Sequence, residues 1–325
     1  MKKEWNEISV LLAGCGSIGK RHARVLASLG LTDIRACDPN AGQLNSLIRE
    51  VPVVKPVSSF DEGLADMPDA VFILTPPKLH VPMAIKAIAA GCHVFSEKPI
   101  SESMEGIDQL KDLVSLSGKK MMVGLCFRYH KGLLRAKRLL DEGYIGRLVS
   151  VRALMGEHLP TVRPDYRDLF SSKYSGAFDL MHDIDLAIWF ANRPVKDVKA
   201  MYGAYSEIGI EAPDIVEILI GFENRCLASV HLDFFQQPRR RQIELIGTSG
   251  VITVEFASWD ENELAAFNTQ NNKWMRIKEE TKRDDMFRDE DEEFLKIAAG
   301  DKPVACDIYE ACKSLEVVLA AQNRL

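Results

Sequence analysis

Val10-Leu11-Leu12-Ala13-Gly14-Cys15-Gly16-Ser17-Ile18-Gly19 decides how the first part of this chain folds. A buried strand, Ile8 to Ala13, runs into G-x-G-x-x-G, and a helical pattern, Ile18 to Leu29, follows and stops at Gly30. Gly14 permits a tight turn, Gly16 lets backbone approach a pyrophosphate, and Gly19 lets helix and strand pack closely. The start of such a helix offers free N–H groups and partial positive charge to phosphates, with Ser17 and Ile18 supplying two of the amides. The motif alone is weak, but this one has the strand before it and the helix after it. Asp38 ends the next strand, 19 residues beyond Gly19. A carboxylate there can accept hydrogen bonds from ribose hydroxyls and would repel a 2′-phosphate, so NAD is expected over NADP.

Outward from this stretch, short apolar strands alternate with helices. Strands are read at Ile34–Cys37, Ala70–Leu74, Cys92–Phe95 and Met121–Leu125, and helices at Val81–Ala90 and Met104–Ser117. That alternation predicts βαβ units and a doubly wound parallel sheet, a Rossmann domain over residues 1–126. After residue 126 the pattern changes. A helix (Leu133–Leu140), a strand (Leu148–Met155), an irregular stretch (His158–Tyr174) and an apolar helix (Ala177–Phe190) come first. Strand-like segments then follow one another from Val198 to Ile277, joined by short polar turns. Runs of strands predict an α+β domain with a large, mainly antiparallel open sheet over residues 127–325. Helices close the chain, and the last is expected to pack back on the first domain.

Composition narrows the partners. With 325 residues, 46% hydrophobic, two domains and a large core are expected. A formal net charge of −6 argues against nucleic acid or an anionic membrane. The one dense basic run, Arg239-Arg240-Arg241, reads as a solvated strand end. Seven cysteines without C-x-x-C spacing read as small core residues in a reducing, cytoplasmic compartment, with no disulfide framework and no metal site. No signal peptide is read at Met1–Glu7, and no stretch approaches 18 apolar residues, so no membrane span is expected.

Two segments carry chemistry. Ser96-Glu97-Lys98-Pro99 follows a strand whose carboxyl end should face the ligand crevice, which aims Lys98 at the nicotinamide end. A lysine partly withdrawn from water can exchange a proton or a hydrogen bond with a substrate hydroxyl. In Phe178–Trp189, Asp179, His182 and Asp185 recur every three residues and are read as one side of a buried helix. Buried acids and an imidazole are costly unless paired or serving a site, and a carboxylate one turn from a histidine can orient it as a general base.

These motifs occur in the order seen in the glucose–fructose oxidoreductase and inositol dehydrogenase (Gfo/Idh/MocA) family, which the chain resembles over nearly its whole length. The resemblance rests on the glycine motif, Thr75-Pro76-Pro77 with His80, Glu97-Lys98-Pro99, and the Asp179/His182/Asp185 segment. It implies that the nicotinamide lies across the Thr75-Pro76-Pro77 loop near Glu97 and Lys98. Lys98 and His182 would meet the substrate hydroxyl, with His182 as base. The family commonly spaces the acid four residues before the histidine, whereas here it is three, which weakens the catalytic role of Asp179. Arg128, Tyr129 and His130 are expected at the substrate, as is Asp185, with Tyr166 and Arg167 capping it. The implied activity is NAD-dependent hydride transfer at a secondary alcohol of a sugar, polyol or sugar derivative, in a homodimer or homotetramer. Relatives that retain NAD as glycosidases, or sense it as regulators, are the alternatives.

Overall fold

The computed structural model describes residues 4–169, 175–300 and 304–324, which form two compact units. The first comprises Met1–Cys126 with Asp284–Leu315, and the second Phe127–Arg283 with Glu316–Leu325. The first holds strands β1 (Val10–Ala13), β2 (Ile34–Cys37), β3 (Val54–Pro56), β4 (Ala70–Ile73), β5 (His93–Glu97) and β6 (Met121–Gly124). Helices α1 (Ser17–Ser28), α2 (Ala41–Glu50), α3 (Phe60–Ala65), α4 (His80–Ala89) and α5 (Ile107–Ser117) alternate with them. All pairings are parallel, in the order β3-β2-β1-β4-β5-β6. All residues of β1, β4 and β6 are buried, as strands covered on both faces require. The order reverses between β1 and β4, and the crevice beyond their carboxyl ends is where open parallel sheets bind ligands.

The second unit contains α6 (Lys131–Asp141), β7 (Leu148–Gly156), α7 (Leu159–Val162), α8 (Tyr166–Leu169) and α9 (His182–Ala191). Strands β8 (Val195–Gly203), β9 (Ile215–Phe222), β10 (Cys226–Asp233), β11 (Arg240–Gly247), β12 (Gly250–Glu255), β13 (Glu261–Asn268) and β14 (Lys273–Glu280) follow. They form one eight-stranded sheet, β14-β13-β12-β11-β7-β10-β9-β8, antiparallel except for β7 with β10. Helices α6 and α9 pack on one face, where Val216, Ile218, Ile220, Ile243 and Leu245 are buried. The other face leaves Met201, Leu219, Leu227 and Trp274 exposed.

The chain does not divide at a single boundary. Residues 284–315, read within 127–325 with the last helix packing back on the first domain, fall in the first unit. They include most of α10 (Arg283–Ala298) and the start of α11 (Ile308–Ala321). The cause is apolar packing and strand-edge bonding. Phe294 of α10 lies edge-on to Phe72 and Phe95 of the parallel sheet, and the Val123 N–H donates to the Cys306 carbonyl. The irregular stretch His158–Tyr174 contains α7 and α8, while its residues 170–174 lie outside the described residues. The helix expected at Ala177–Phe190 is two elements, a 3-10 turn at Gly176–Leu180 and then α9.

Candidate active site

The glycine turn is shaped by contacts that admit no side chain at two of its positions. Gly14 has φ +105°, and a Cβ there would sit 2.6 Å from the Leu74 carbonyl oxygen. A Cβ on Gly19 would sit 2.1 Å from the Gly14 oxygen. Gly16 is different, since a Cβ there would meet nothing within 4 Å. It caps α1 without a side-chain hydrogen bond, and no acid lies in the first turn. By contrast, Asn40 caps α2 and Ser59 caps α3 through their side chains. Open space, uncapped amides and absent acids fit a dinucleotide pyrophosphate at the α1 N-terminus. Asp38 is not itself the cap of α2, a position that Asn40 fills. Asp38 instead accepts the Cys15 N–H through Oδ2 at 2.7 Å and the Asn40 N–H through Oδ1 at 2.8 Å. Each oxygen keeps a lone pair for a ribose hydroxyl. Burial, then the Asp38 charge, pushes the intervening Cys15 thiol up to about 12, so it is no nucleophile.

The next two sequence motifs meet at the same edge of the sheet. Thr75, Pro76 and Pro77 follow β4, and Glu97 ends β5. His80, 1% exposed, joins them, with Nδ1 2.7 Å from the Pro99 carbonyl and Nε2 2.7 Å from the Thr75 carbonyl. Burial presses its pKa below the usual imidazole value, although only the imidazolium could donate to both carbonyls. Glu97 is buried, and its Oε2 accepts the Lys98 backbone N–H at 2.9 Å. Lys98 is half-buried. Glu97 also meets His22 of α1, at Nε2–Oε1 3.2 Å, and His22 Nδ1 reaches Asp291 of α10 at 2.8 Å. Sequence reasoning missed His22 and Asp291. A histidine one turn past Gly19, among buried Ala23 and Leu26, was the available signal.

In the second unit His182 is the first residue of α9 and is half-buried, its ring 5.0 Å from Phe127. Asp179 is exposed in the preceding 3-10 turn and does not share α9 with it. The three-residue spacing read as a single helix face is therefore interrupted. Arg128 and Asp185, expected to touch substrate, are each other's partners: Nε–Oδ2 is 2.9 Å and Nη2–Oδ1 2.7 Å, with both side chains buried. Arg241 makes the same two-pronged contact with Asp183, at 3.1 and 2.7 Å, and lies 3.6 Å from the Phe127 ring centroid. Burial raises the Asp183 carboxyl above its usual value, while the Arg241 charge and hydrogen bonds work against that shift.

The basic run is thus not a solvated strand end. Arg240 alone is exposed, while Arg239 lies 3.1 Å from Glu157 and Arg241 is interior. The alternation Arg241, Ile243, Leu245 is the sequence signal that places Arg241 inward. His130 is 5% exposed, its Nδ1 without a hydrogen bond. Tyr129 precedes it in a short 3-10 turn. Tyr166 is buried, its hydroxyl donating to the Ile208 carbonyl at 2.5 Å, and exposed Arg167 stacks on its ring at 5.4 Å. Tyr166 therefore props a loop of its own unit.

A Rossmann sheet with a pyrophosphate-fitting turn and a lysine at the same edge defines a dinucleotide-dependent class of enzyme fold. Two family models match the chain, an oxidoreductase family with NAD-binding Rossmann fold over residues 8–125 and the Gfo/Idh/MocA C-terminal domain over 133–253. The chain belongs to the Gfo/Idh/MocA oxidoreductase family. It is 27% identical over 203 residues to inositol 2-dehydrogenase of Salmonella typhimurium, which spans 61% of this chain and 58% of that enzyme. Solved structures show the fold. UDP-N-acetylglucosamine 3-dehydrogenase GnnA from Acidithiobacillus ferrooxidans matches with a TM-score of 0.82 at 21% identity, covering 98% of each chain. Scyllo-inositol dehydrogenase from Lactobacillus casei, solved with NAD(H) and scyllo-inositol, matches with a TM-score of 0.82 at 23% identity, covering 98% of this chain and 97% of that one. Among the described residues no helix is long and apolar enough to cross a membrane.

Proposed function

We propose that the protein transfers hydride reversibly between NAD and a secondary alcohol carbon of a sugar, polyol or sugar derivative. One observation carries the reading: the glycine turn, Asp38, the Thr75–Pro77 loop and Glu97-Lys98 all sit at the carboxyl edge of one parallel sheet. The dehydrogenases named above, one of them solved with NAD(H) and an inositol, support the substrate class. Bound NAD supplies the hydride acceptor. Gly14, Gly16, Ser17, Ile18 and Gly19 hold its phosphates, and Asp38 selects it over NADP by accepting ribose hydroxyls. Thr75, Pro76, Pro77, His80 and Glu97 shape the nicotinamide end. Lys98 donates a hydrogen bond to the substrate oxygen, and His182 takes the hydroxyl proton. Asp179 is assigned no step. Tyr129, His130 and Arg167 contribute to substrate binding.

A screen of polyols, aldoses and nucleotide sugars for NADH formation tests the reaction. Lys98→Ala is expected to lower kcat by about a hundredfold or more while NAD affinity persists. Full kcat in that variant overturns the role. Release of sugar from a glycoside without net NADH would replace the reaction by a glycosidase. Assembly of two or four copies through the open sheet face belongs to the same proposal. Exposed Met201, Leu219, Leu227 and Trp274 support it, and light scattering tests it. The burial of all seven cysteines supports a reducing, cytoplasmic setting.

A further inference from the structure

Beneath the Glu97-Lys98 corner lies a charged cluster that the steps above leave unused. His22 is 0% exposed. Its Nδ1 faces both Asp291 oxygens, at 2.8 and 3.0 Å, and its Nε2 faces Glu97 Oε1 at 3.2 Å. Phe72, Phe95 and Phe287 enclose the ring at centroid distances of 5.7, 5.2 and 5.6 Å. The titratable groups around it are Glu97 from β5, Asp291 and Glu290 from α10, and Lys98 acting through Glu97. Burial works to lower the His22 pKa, but Asp291 and then Glu97 lift it to about 10. Burial likewise works to raise Glu97, yet the His22 hydrogen bond and charge, then Lys98, bring it below the usual carboxylate value. Glu290 takes the opposite course. Burial and the charges of Glu97 and Asp291 hold it well above the usual value.

Such a cluster is a poor choice for stability alone, since well-packed apolar side chains do as well or better. Its geometry has a specific product. One Glu97 oxygen is bonded to His22 and the other to the Lys98 backbone N–H, while His80 meets the Pro99 carbonyl on the far side. The corner carrying Lys98 is clamped before and after that residue.

We infer that His22 and Asp291 are positioning residues, which hold Glu97 as an oriented carboxylate and so fix the backbone from which the Lys98 amine is presented. The kinetic consequence rests on the role proposed for Lys98, but the geometric one does not. The test uses Asp291→Asn in the full chain, with three readouts beside folding: the His22 ring resonance, NADH affinity by fluorescence, and acetylation of Lys98 followed by mass spectrometry across pH. In the variant His22 should titrate about two pH units lower than in the parent. Lys98 acetylation should gain a second inflection at that new midpoint. NADH affinity should stay within about threefold while kcat falls about tenfold or more, most steeply above the His22 midpoint, and Asp291→Glu should restore most of it. If Asp291→Asn does not fold, Glu97→Gln removes the other carboxylate and should shift His22 and the Lys98 profile in the same way. The resonance and labelling arms need no substrate, so they decide the inference even if no alcohol is turned over and the proposed reaction falls. An unmoved His22 midpoint overturns it, as does a Lys98 profile that ignores a moved one.

Discussion

Two histidines, one in each unit, are buried almost equally and are shifted in opposite directions, one toward the imidazolium and the other toward the neutral ring. His22 is 0% exposed and is pushed up to about 10, because Asp291 and Glu97 outweigh the burial that works to lower it. His130 is 5% exposed and is driven down to about 4 by burial, then by the charges of Arg241 and Lys131. Both rings are packed among phenylalanines. Burial works to lower both imidazoles; beside His22 the carboxylates overturn it, and beside His130 the cations add to it. In the first unit the neighbouring charge is anionic and holds a proton beside the cofactor edge. In the second it is a guanidinium whose own charge is met by Asp183.

The largest effect should come from breaking the cationic side. Arg241→Leu strands Asp183, which is 0% exposed, and should destabilise the protein by about 3–5 kcal/mol in urea unfolding. The His130 pKa should rise as well. Adding Asp183→Leu should return most of that stability, whereas a cost for the single change near zero would show that the pair does not hold the unit. Next comes the anionic side. His22→Gln should cost about 2–3 kcal/mol at neutral pH, from two charge-assisted hydrogen bonds. The folded His22 pKa is raised, so its stabilising contribution is complete below about 6.5 and is lost as pH rises through about 10. The gap between the parent and variant melting temperatures should therefore close toward pH 10. The smallest effect belongs to His130, whose folded pKa is depressed. The parent loses stability through this group as pH falls from about 6.5 toward 4, because the unfolded chain takes up the proton first. His130→Gln should retain about 1–2 kcal/mol more than the parent at the acid end relative to neutral pH. Equal acid slopes in the two proteins would remove His130 from the account.

Much of this was legible in local sequence. Strand β1, the glycine turn and Asp38 are specified by residues within thirty positions of one another, and each has a local reason in turn sterics, amide exposure or strand periodicity. The inward register of Arg241 was legible too, by its alternation with Ile243 and Leu245, although the three-arginine run obscured it. The break before His182 was not. Gly176 has φ +68°, and a Cβ there would lie 2.2 Å from the Pro213 carbonyl, so the turn is imposed by a segment distant in sequence. Asp179 consequently leaves the helix on which Asp183 and Asp185 find their arginines.

The amino-acid order by itself determined the two kinds of sheet, the pyrophosphate-fitting turn and the presence of a lysine at a strand's carboxyl end, because these depend on neighbours a few residues away. Only the tertiary structure decided which buried groups are charged. His22 and Asp291 are 269 residues apart, and Arg241 and Asp183 are 58 apart. The free energy of an interior charge depends on the distance to its counter-charge, a quantity that exists only after the chain has folded.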